Sequence, residues 1–501
     1  MSLIFFIRHL FQNLRFYRVV LSRTCLLPFV LTGCMSTSST EKPTLTVPDT
    51  TLRSYSSIIG NEATLADKEI PIQWWDLFND STLALLESDA AKSNLDLLSA
   101  ITRIEESRAQ LGLINSARNP QVSGNASYSR QALSEHESLA MLGAPTSSAN
   151  FWDLGLQAGW ELDLWGHLRQ QTASAQASLE ATMFGMEAVK VSVTADIART
   201  YLLLRGVQAQ VKIYQKQQDI AQKLILLIES QKRNGVGTRF DVAISLENIA
   251  KINAHLLQLE HQRDVLKNAL ALLLGKYPRE LDEQLAIENF PVMPKSLPIG
   301  IPSELASKRP DILQAEARLR ATVSDIGAAE ADFYPRVSLT GSFSFKAFEF
   351  SDMGMWDSRH YAVGPTLYLP IFDGGRLKSN LALSTTRHRL AGLNYQKTVL
   401  NAWHEIDNAL DAYSTELKRY KQLQLALQQR ENSLSVAKYG YQEGTQSLIP
   451  ILEAQRALLN NEFELVDCAT SSALSVVSLY RALGGRWSSD LHVSILSDKA
   501  E

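Results

Sequence analysis

Two hydrophobic rhythms run through this chain, and each appears twice. The first has a period of two. Between Phe151 and Leu164 the even positions are Trp152, Leu154, Leu156, Ala158, Trp160, Leu162 and Leu164, while the odd ones include Asp153, Gln157, Glu161 and Asp163. Arg336–Phe348 alternates likewise, with Val337, Leu339, Phe343, Phe345 and Ala347 against Arg336, Ser338, Thr340, Ser342, Ser344 and Lys346. Each segment has a companion. Val122, Ala126 and Tyr128 oppose Gln121, Ser123, Asn125 and Ser127, and Tyr361, Val363, Leu367, Leu369 and Ile371 oppose His360, Thr366 and Tyr368. This alternation predicts four strands, each with one apolar and one polar face. At about 10–14 residues they are long enough for tilted outer-membrane strands, which need about 9–11. A soluble antiparallel sheet with one buried face shows the same alternation.

The second rhythm is helical and unusually long. No proline interrupts the chain between Pro145 and Pro278 or between Pro370 and Pro450. His167 to Arg233 reads as one helix. At 1.5 Å per residue it is about 100 Å long, whereas globular helices average about 11–12 residues. Its apolar positions, Leu203, Val207, Val211 and Tyr214 and then Leu224, Leu227 and Ile228, predict narrow coiled-coil seams. The helix breaks at Arg233-Asn-Gly-Val-Gly-Thr238, and another runs back from about Phe240 to Leu274, with Gly275 as its cap. The pattern recurs as Leu377 to Tyr441, a turn at Gln442–Gln446, and Leu448 to Leu483 ending at Gly484.

That recurrence is a tandem repeat. Gly112, Pro120, Val122 and Ser123 match Gly327, Pro335, Val337 and Ser338 at an offset of 215. Gly155, Gly166, Gly235 and Gly275 match Gly364, Gly375, Gly444 and Gly484 at an offset of 209. The six-residue change places a longer loop in the first copy, between Ser129 and Gly155. The expected division is a first repeat over 76–275, a linker over 276–302, a second repeat over 303–485 and a tail over 486–501. The linker holds Pro291, Pro294, Pro298 and Pro302, which makes it a poor helix. Each repeat reads helix, β-hairpin (about 121–164 and 336–372), then helical hairpin (about 167–275 and 376–483).

Charge and cysteine content narrow the partners. Residues 1–33 hold four arginines and no other formally charged side chain, so the remainder has 45 basic and 53 acidic residues, a net −8. An acidic body argues against a nucleic-acid partner. Cys25, Cys34 and Cys468 are too few for a disulfide framework and have no metal-type spacing. Cys468 lies in a helical pattern and reads as a small buried hydrophobe. The basic N-terminus turns apolar at Cys25–Leu31, too short to span a bilayer, and reads as a signal peptide over 1–33. Leu31-Thr32-Gly33-Cys34 resembles the bacterial lipobox, which implies acylation of Cys34 and a lipidated segment over 34–75. Met35 follows in place of an aspartate, which fits the outer membrane.

Four strands in lipid leave two unpaired edges, so the sheet must close, and the smallest ordinary barrel has eight strands. Several chains must share it. Both strand-hairpin loops (about 130–150 and 347–360) lie at one end, so both helical hairpins leave the other. Trp152, Trp160 and Trp165 are then placed for aromatic belts.

At this point the chain resembles the TolC-like outer-membrane efflux proteins, in their lipoprotein branch. The resemblance covers roughly residues 70–487 and rests on Trp74-Trp75-x-x-Phe78, Gly159-Trp-Glu-Leu-Asp-Leu-Trp-Gly166, Arg309-Pro-Asp-Ile312, Phe333-Tyr-Pro-Arg-Val-Ser-Leu-Thr-Gly341, Pro370-Ile-Phe-Asp-Gly-Gly-Arg376 and Ala482-Leu-Gly-Gly-Arg-Trp487. It implies a mixed α and β fold, a homotrimer in which three chains share a transmembrane β-barrel continued by a long α-helical barrel. It further implies an outer-membrane exit duct for drugs or other small toxic compounds. The implied partners are outer-membrane lipid, a periplasmic adaptor and an inner-membrane transporter of the resistance-nodulation-division class. A protein-secretion duct shares that fold, and a periplasmic coiled-coil scaffold is the alternative of a different class.

Nothing specifies catalysis. Gly235-Val236-Gly237-Thr238 lacks the Lys-Ser/Thr of a phosphate loop and reads as a hairpin tip. His404-Glu405-x-x-Asn408 lacks the second His of a zinc protease and reads as seam. Arg309-Pro310-Asp311 reads as a helix start, with Pro in the first turn and Asp suited to the macrodipole. No catalytic residue, metal ligand or cofactor is expected beyond the lipid on Cys34. The resemblance makes the two tips the adaptor-docking end: Gly235, Val236, Gly237, Thr238 and Asp241 in the first copy, and Gly444, Thr445, Gln446 and Ser447 in the second. Family members carry Gly-x-x-Ser-x-x-Asp-Val there, and Pro450 replaces the Asp in the second copy.

Overall fold

The computed structural model describes residues 65–66, 70–235, 237–294, 297–299, 308–447 and 449–485. The signal peptide, Cys34, Met35, most of the segment 34–75, Val236 and the tail 486–501 lie outside the described residues. So do Pro302 of the linker and Leu448 at the start of the second return helix; the other periodic segments above lie within them.

Period-two alternation produces strands where it was read. β1 (Leu65–Ala66) pairs in parallel with β4 (Leu297–Pro298), tying the segment before the first repeat to the linker. β2 (Gln121–Gln131), β3 (Ala149–Leu162), β5 (Arg336–Ala347) and β6 (Arg359–Tyr368) form one antiparallel sheet in the order β2-β3-β5-β6. The two hairpins thus join through β3 and β5, with Leu156 opposite Phe343 and Gln157 opposite Ser342. Residues directly opposite share a face, so the register sorts the side chains. One face carries the row Leu156, Phe343 and Tyr361, and the other the row Ser123, Gln157 and Ser342. The apolar face is uncovered: Leu156 is 57% exposed, Tyr361 71% and Val363 77%. Leu369 and Ile371, expected to extend β6, fall beyond its end at Tyr368.

The helices of more than ten residues are α1 (Ser81–Ser93), α2 (Leu95–Ser116), α3 (His167–Arg233), α4 (Arg239–Leu273), α5 (Pro310–Ala331), α6 (Arg376–Gln442) and α7 (Ile449–Ala482). α3 and α6 have 67 residues each. Their partners are two shorter helices set end to end. α4 reaches the start of α2, where Asn94 caps α2 through Leu97 N–H (2.9 Å) and donates its amide to Leu273 O (2.7 Å). Ser93 adds a bond to Leu274 O (2.8 Å). At the equivalent joint α7 reaches α5, and Arg309 donates to Ala482 O (2.6 Å). The orphan carbonyls of one helix end are therefore satisfied at the start of the next.

The repeat glycines adopt matching conformations. Gly166 and Gly375 cap the long helices at φ of 81° and 88°, Gly235 and Gly444 follow them at 77° and 71°, and Gly275 and Gly484 end the return helices at 66° and 82°. Two expectations need correction. The first repeat opens with two helices, not one, because Asn94 leaves the helical region to cap α2. The seam on α3 is not narrow throughout. Between Tyr201 and Val211 burial extends around most of the helix, including Arg205 and Gln208, while Leu227 farther along is 48% exposed. The cause is the main core. Trp74, Phe78, Leu83 and Leu86 of the N-terminal segment, with Leu281 and Leu285 of the linker, pack around the middle of the helices. Buried Arg205 is satisfied there by Tyr201 Oη, Gln208, Ala286 O and Glu288.

If the uncovered apolar face meets hydrocarbon, a charge there costs about 2–4 kcal/mol near mid-bilayer, whereas a charge on the polar face does not. Leu156→Arg should therefore lower the yield of membrane-inserted oligomer far more than Gln157→Arg, measured by heat-modifiable gel mobility. Equal tolerance would overturn the assignment of faces.

Candidate functional site

Each long helix ends in a turn that its own backbone builds. In the first, Gly235 N–H donates to Lys232 O and Gly237 N–H to Gln231 O, both at 3.1 Å. In the second, Gly444 N–H donates to Tyr441 O (3.1 Å) and Gln446 N–H to Gly440 O (3.2 Å). In these bonds each donor and acceptor is displaced by 209 positions, so the two turns share one backbone frame. Gly235 and Gly444 supply the left-handed φ that ends each helix.

The crowded contact inside the turn is resolved differently in each copy. A side chain at Gly237 would meet the backbone nitrogen of Lys232 at 2.9 Å. The equivalent position in the second copy is Gln446, which does carry a side chain. There Gly440 stands where the first copy has Gln231, and a side chain at Gly440 would meet the Gln446 side chain at 3.0 Å.

After the first turn Thr238 begins α4 with a capping box. Asp241 N–H donates to Thr238 Oγ1 (3.1 Å), and Thr238 N–H donates to Asp241 Oδ2 (3.0 Å). The Thr238 hydroxyl and N–H together hold the Asp241 carboxyl below its ordinary range. Asp241 is thus engaged in starting the helix. In the second turn Thr445 bonds Gly440 O through both its N–H and its hydroxyl, at 2.9 Å each. Gln446 and Ser447 are exposed.

The expected tip residues are brought to one place, apart from Val236, which lies outside the described residues. Two residues that the sequence reading missed join the turns. Tyr441 Oη of α6 exchanges hydrogen bonds with the Gln231 side-chain amide of α3, 2.7 Å to Nε2 and 2.9 Å to Oε1. Beside them Ile228, Ala437 and Ile451 form a small core with Leu224, Val242 and Leu434. All four hairpin helices contribute to it. The available signal was positional: Gln231 and Tyr441 both lie four residues or fewer before the turn glycine, where a polar side chain can reach the neighbouring hairpin.

Arg309 was also read too narrowly. Pro310 and Asp311 begin α5 as expected. Arg309 itself is 7% exposed and binds Asp311 (2.8 Å), Glu405 of α6 (2.7 Å) and Ala482 O of α7. Burial works against its charge, but the two carboxylates outweigh burial and hold the guanidinium above its ordinary value. It clasps α5, α6 and α7. Cys468 is buried as expected, and burial with Glu416 nearby pushes its thiol up to about 11. Among the described residues no group of three or more His, Cys, Asp or Glu side chains is placed to hold a metal ion.

Loss of a hydrogen bond of this kind costs about 0.5–1.5 kcal/mol. Tyr441→Phe should therefore speed amide exchange in the last turns of α3 and α6 while leaving the global unfolding midpoint nearly unchanged. Unchanged exchange there would show that Gln231 and Tyr441 do not hold the turns together.

The architecture and its tips have known counterparts. Residues 86–276 and 301–485 match the family model for outer membrane efflux proteins, in two blocks that follow the tandem repeat. The chain is 31% identical to the outer membrane protein OprJ of Pseudomonas aeruginosa, over 92% of this chain and 95% of that one. It is 28% identical to the cation efflux system protein CusC of Escherichia coli K12, over 92% and 99%. Among solved structures, the outer-membrane channel OprN superposes with a TM-score of 0.81 at 30% identity, covering 89% of this chain and 99% of that one. With both repeats matched and the whole channel architecture reproduced, the chain belongs to the outer membrane efflux protein family.

Proposed function

We propose that three copies of this chain form the outer-membrane exit duct of a tripartite efflux pump. The four-stranded sheets close together into one barrel in lipid. The helical hairpins extend into the periplasm, where their turns form the closed end and dock an adaptor. An inner-membrane transporter of the resistance-nodulation-division class supplies energy and selects drugs or other small toxic compounds. The duct itself is passive, and no catalytic residue is assigned. Cys34 carries the covalent lipid that anchors the N-terminus.

The observation that carries the docking assignment is the pairing of two turns that share the same backbone bonds around the turn glycine, held side by side by Gln231 and Tyr441. Six such turns in a trimer give a ring with a repeated contact surface. The turns lie at the far ends of helices about 100 Å long, which suits a partner remote from the outer membrane. The docking surface comprises Gly235, Val236, Gly237, Thr238 and Asp241 with Gly444, Thr445, Gln446 and Ser447.

Gly444→Trp places a bulky residue at positive φ in an exposed turn, a local cost on the order of 1 kcal/mol. Trimer abundance should be unchanged, while adaptor crosslinking and drug resistance in cells are abolished. Loss of the trimer together with resistance would make the residue a folding requirement, and unaffected resistance would remove the tip as the contact surface. Palmitate labelling should mark the wild type and not Cys34→Ala. Since one chain anchors weakly beside a barrel, the variant should stay in the outer-membrane fraction. Equal labelling of both would remove Cys34 as the lipid site.

A further inference from the structure

The two turns share a backbone but not a charge. The first is flanked by Lys232 and Arg233 in the last turn of α3 and by Arg239 in the first turn of α4. Asp241 is engaged in the capping box, and Glu229 stands one helical turn before Lys232 and Arg233. The second turn has Glu443 and no cation between Tyr439 and Ile451. Lys232, Arg233 and Arg239 are all exposed, and beside Arg239 stands Phe240, 61% exposed.

Intramolecular physics accounts for only part of this patch. Cations in the last turn of a helix complement its macrodipole, which explains Lys232 and Arg233. Arg239 is at the opposite kind of position. It is the first residue of α4, where the helix dipole is positive and a cation is disfavoured. An exposed phenylalanine beside it gains nothing from a core. Arg239 is therefore not explained by the electrostatics of its own helix, and Phe240 places an exposed aromatic ring directly beside it. Aromatic and arginine side chains are the groups that carry binding energy when an interface covers them.

We propose that the first turn is an acid-recognising contact: Lys232, Arg233 and Arg239, which flank the turn, and the exposed Phe240 next to Arg239 receive a periplasmic protein segment bearing Asp or Glu next to an apolar residue. This rests on the docking role proposed above and specifies the partner's chemistry. The three cations match the carboxylates, and Phe240 takes the apolar neighbour. The second turn, with Glu443, does not receive the same segment. The alternation of a cationic and an acidic turn fixes the rotational register of a partner ring, because a one-position slip brings like charges together.

The test replaces Phe240 with a photoreactive phenylalanine in intact cells and sequences the captured peptide. The expected peptide is periplasmic and carries Asp or Glu within a few residues of the attachment point. Its capture should fall about tenfold when Lys232, Arg233 and Arg239 become Gln together, as loss of several charge pairs at an interface predicts. Capture should return when basic residues in the partner are paired with acids at these three positions. A captured segment without acids, capture of lipid in place of protein, or undiminished capture by the Gln variant would each overturn the inference. Gly444→Trp separates this from the docking role itself. If that variant loses resistance while the Gln variant keeps full resistance and capture, docking stands and charge recognition falls. If neither variant changes either readout, or if no peptide is captured at all, both fall.

Discussion

The structure depends on a debt of hydrogen bonds at the edges of one sheet. β2 and β6 are the outer strands, of 11 and 10 residues. About half the residues of an edge strand direct N–H and C=O outward, so each edge leaves about ten groups unpaired. In hydrocarbon each costs several kcal/mol, a total that no domain's net stability of about 5–15 kcal/mol can absorb. The uncovered apolar face makes the alternative, an open sheet in water, unfavourable as well. Only closure with other copies meets both conditions, and closure makes the polar face the wall of a channel.

The helical part follows from the same repetition. Two copies of one unit give two β-hairpins that pair through β3 and β5 and two helical hairpins that pack through α3. Each 67-residue helix is matched by two shorter ones: α4 with α2, and α7 with α5, meet end to end. Those joints are polar: Asn94 in one, Arg309 in the other. They coincide with the level of the main core, where the N-terminal segment and linker wrap the bundle. The chain is thus fixed at its middle and presents repeated structure at both ends, the sheet at one and the turns at the other.

Much of this was legible in the chain because it rests on periodicity. Strands, long helices and turn glycines follow from spacing alone, and the offset of 209 survives as the same backbone bonds around the two turn glycines. What was not legible depends on contacts between distant segments. Leu203 and Val207 looked like a narrow seam because the sequence does not disclose that residues 70–90 and 281–285 cover the opposite side. Arg309 looked like a helix start because its partners Glu405 and Ala482 are far away in sequence. Gln231 and Tyr441 carried no local sign of being paired.

Native mass spectrometry of the protein released gently from outer membranes tests the central claim most directly, because it counts the chains that share one sheet. The account requires a three-chain species as the smallest folded form, giving a twelve-stranded barrel. A folded single chain, or a two-chain species closing eight strands, would contradict it.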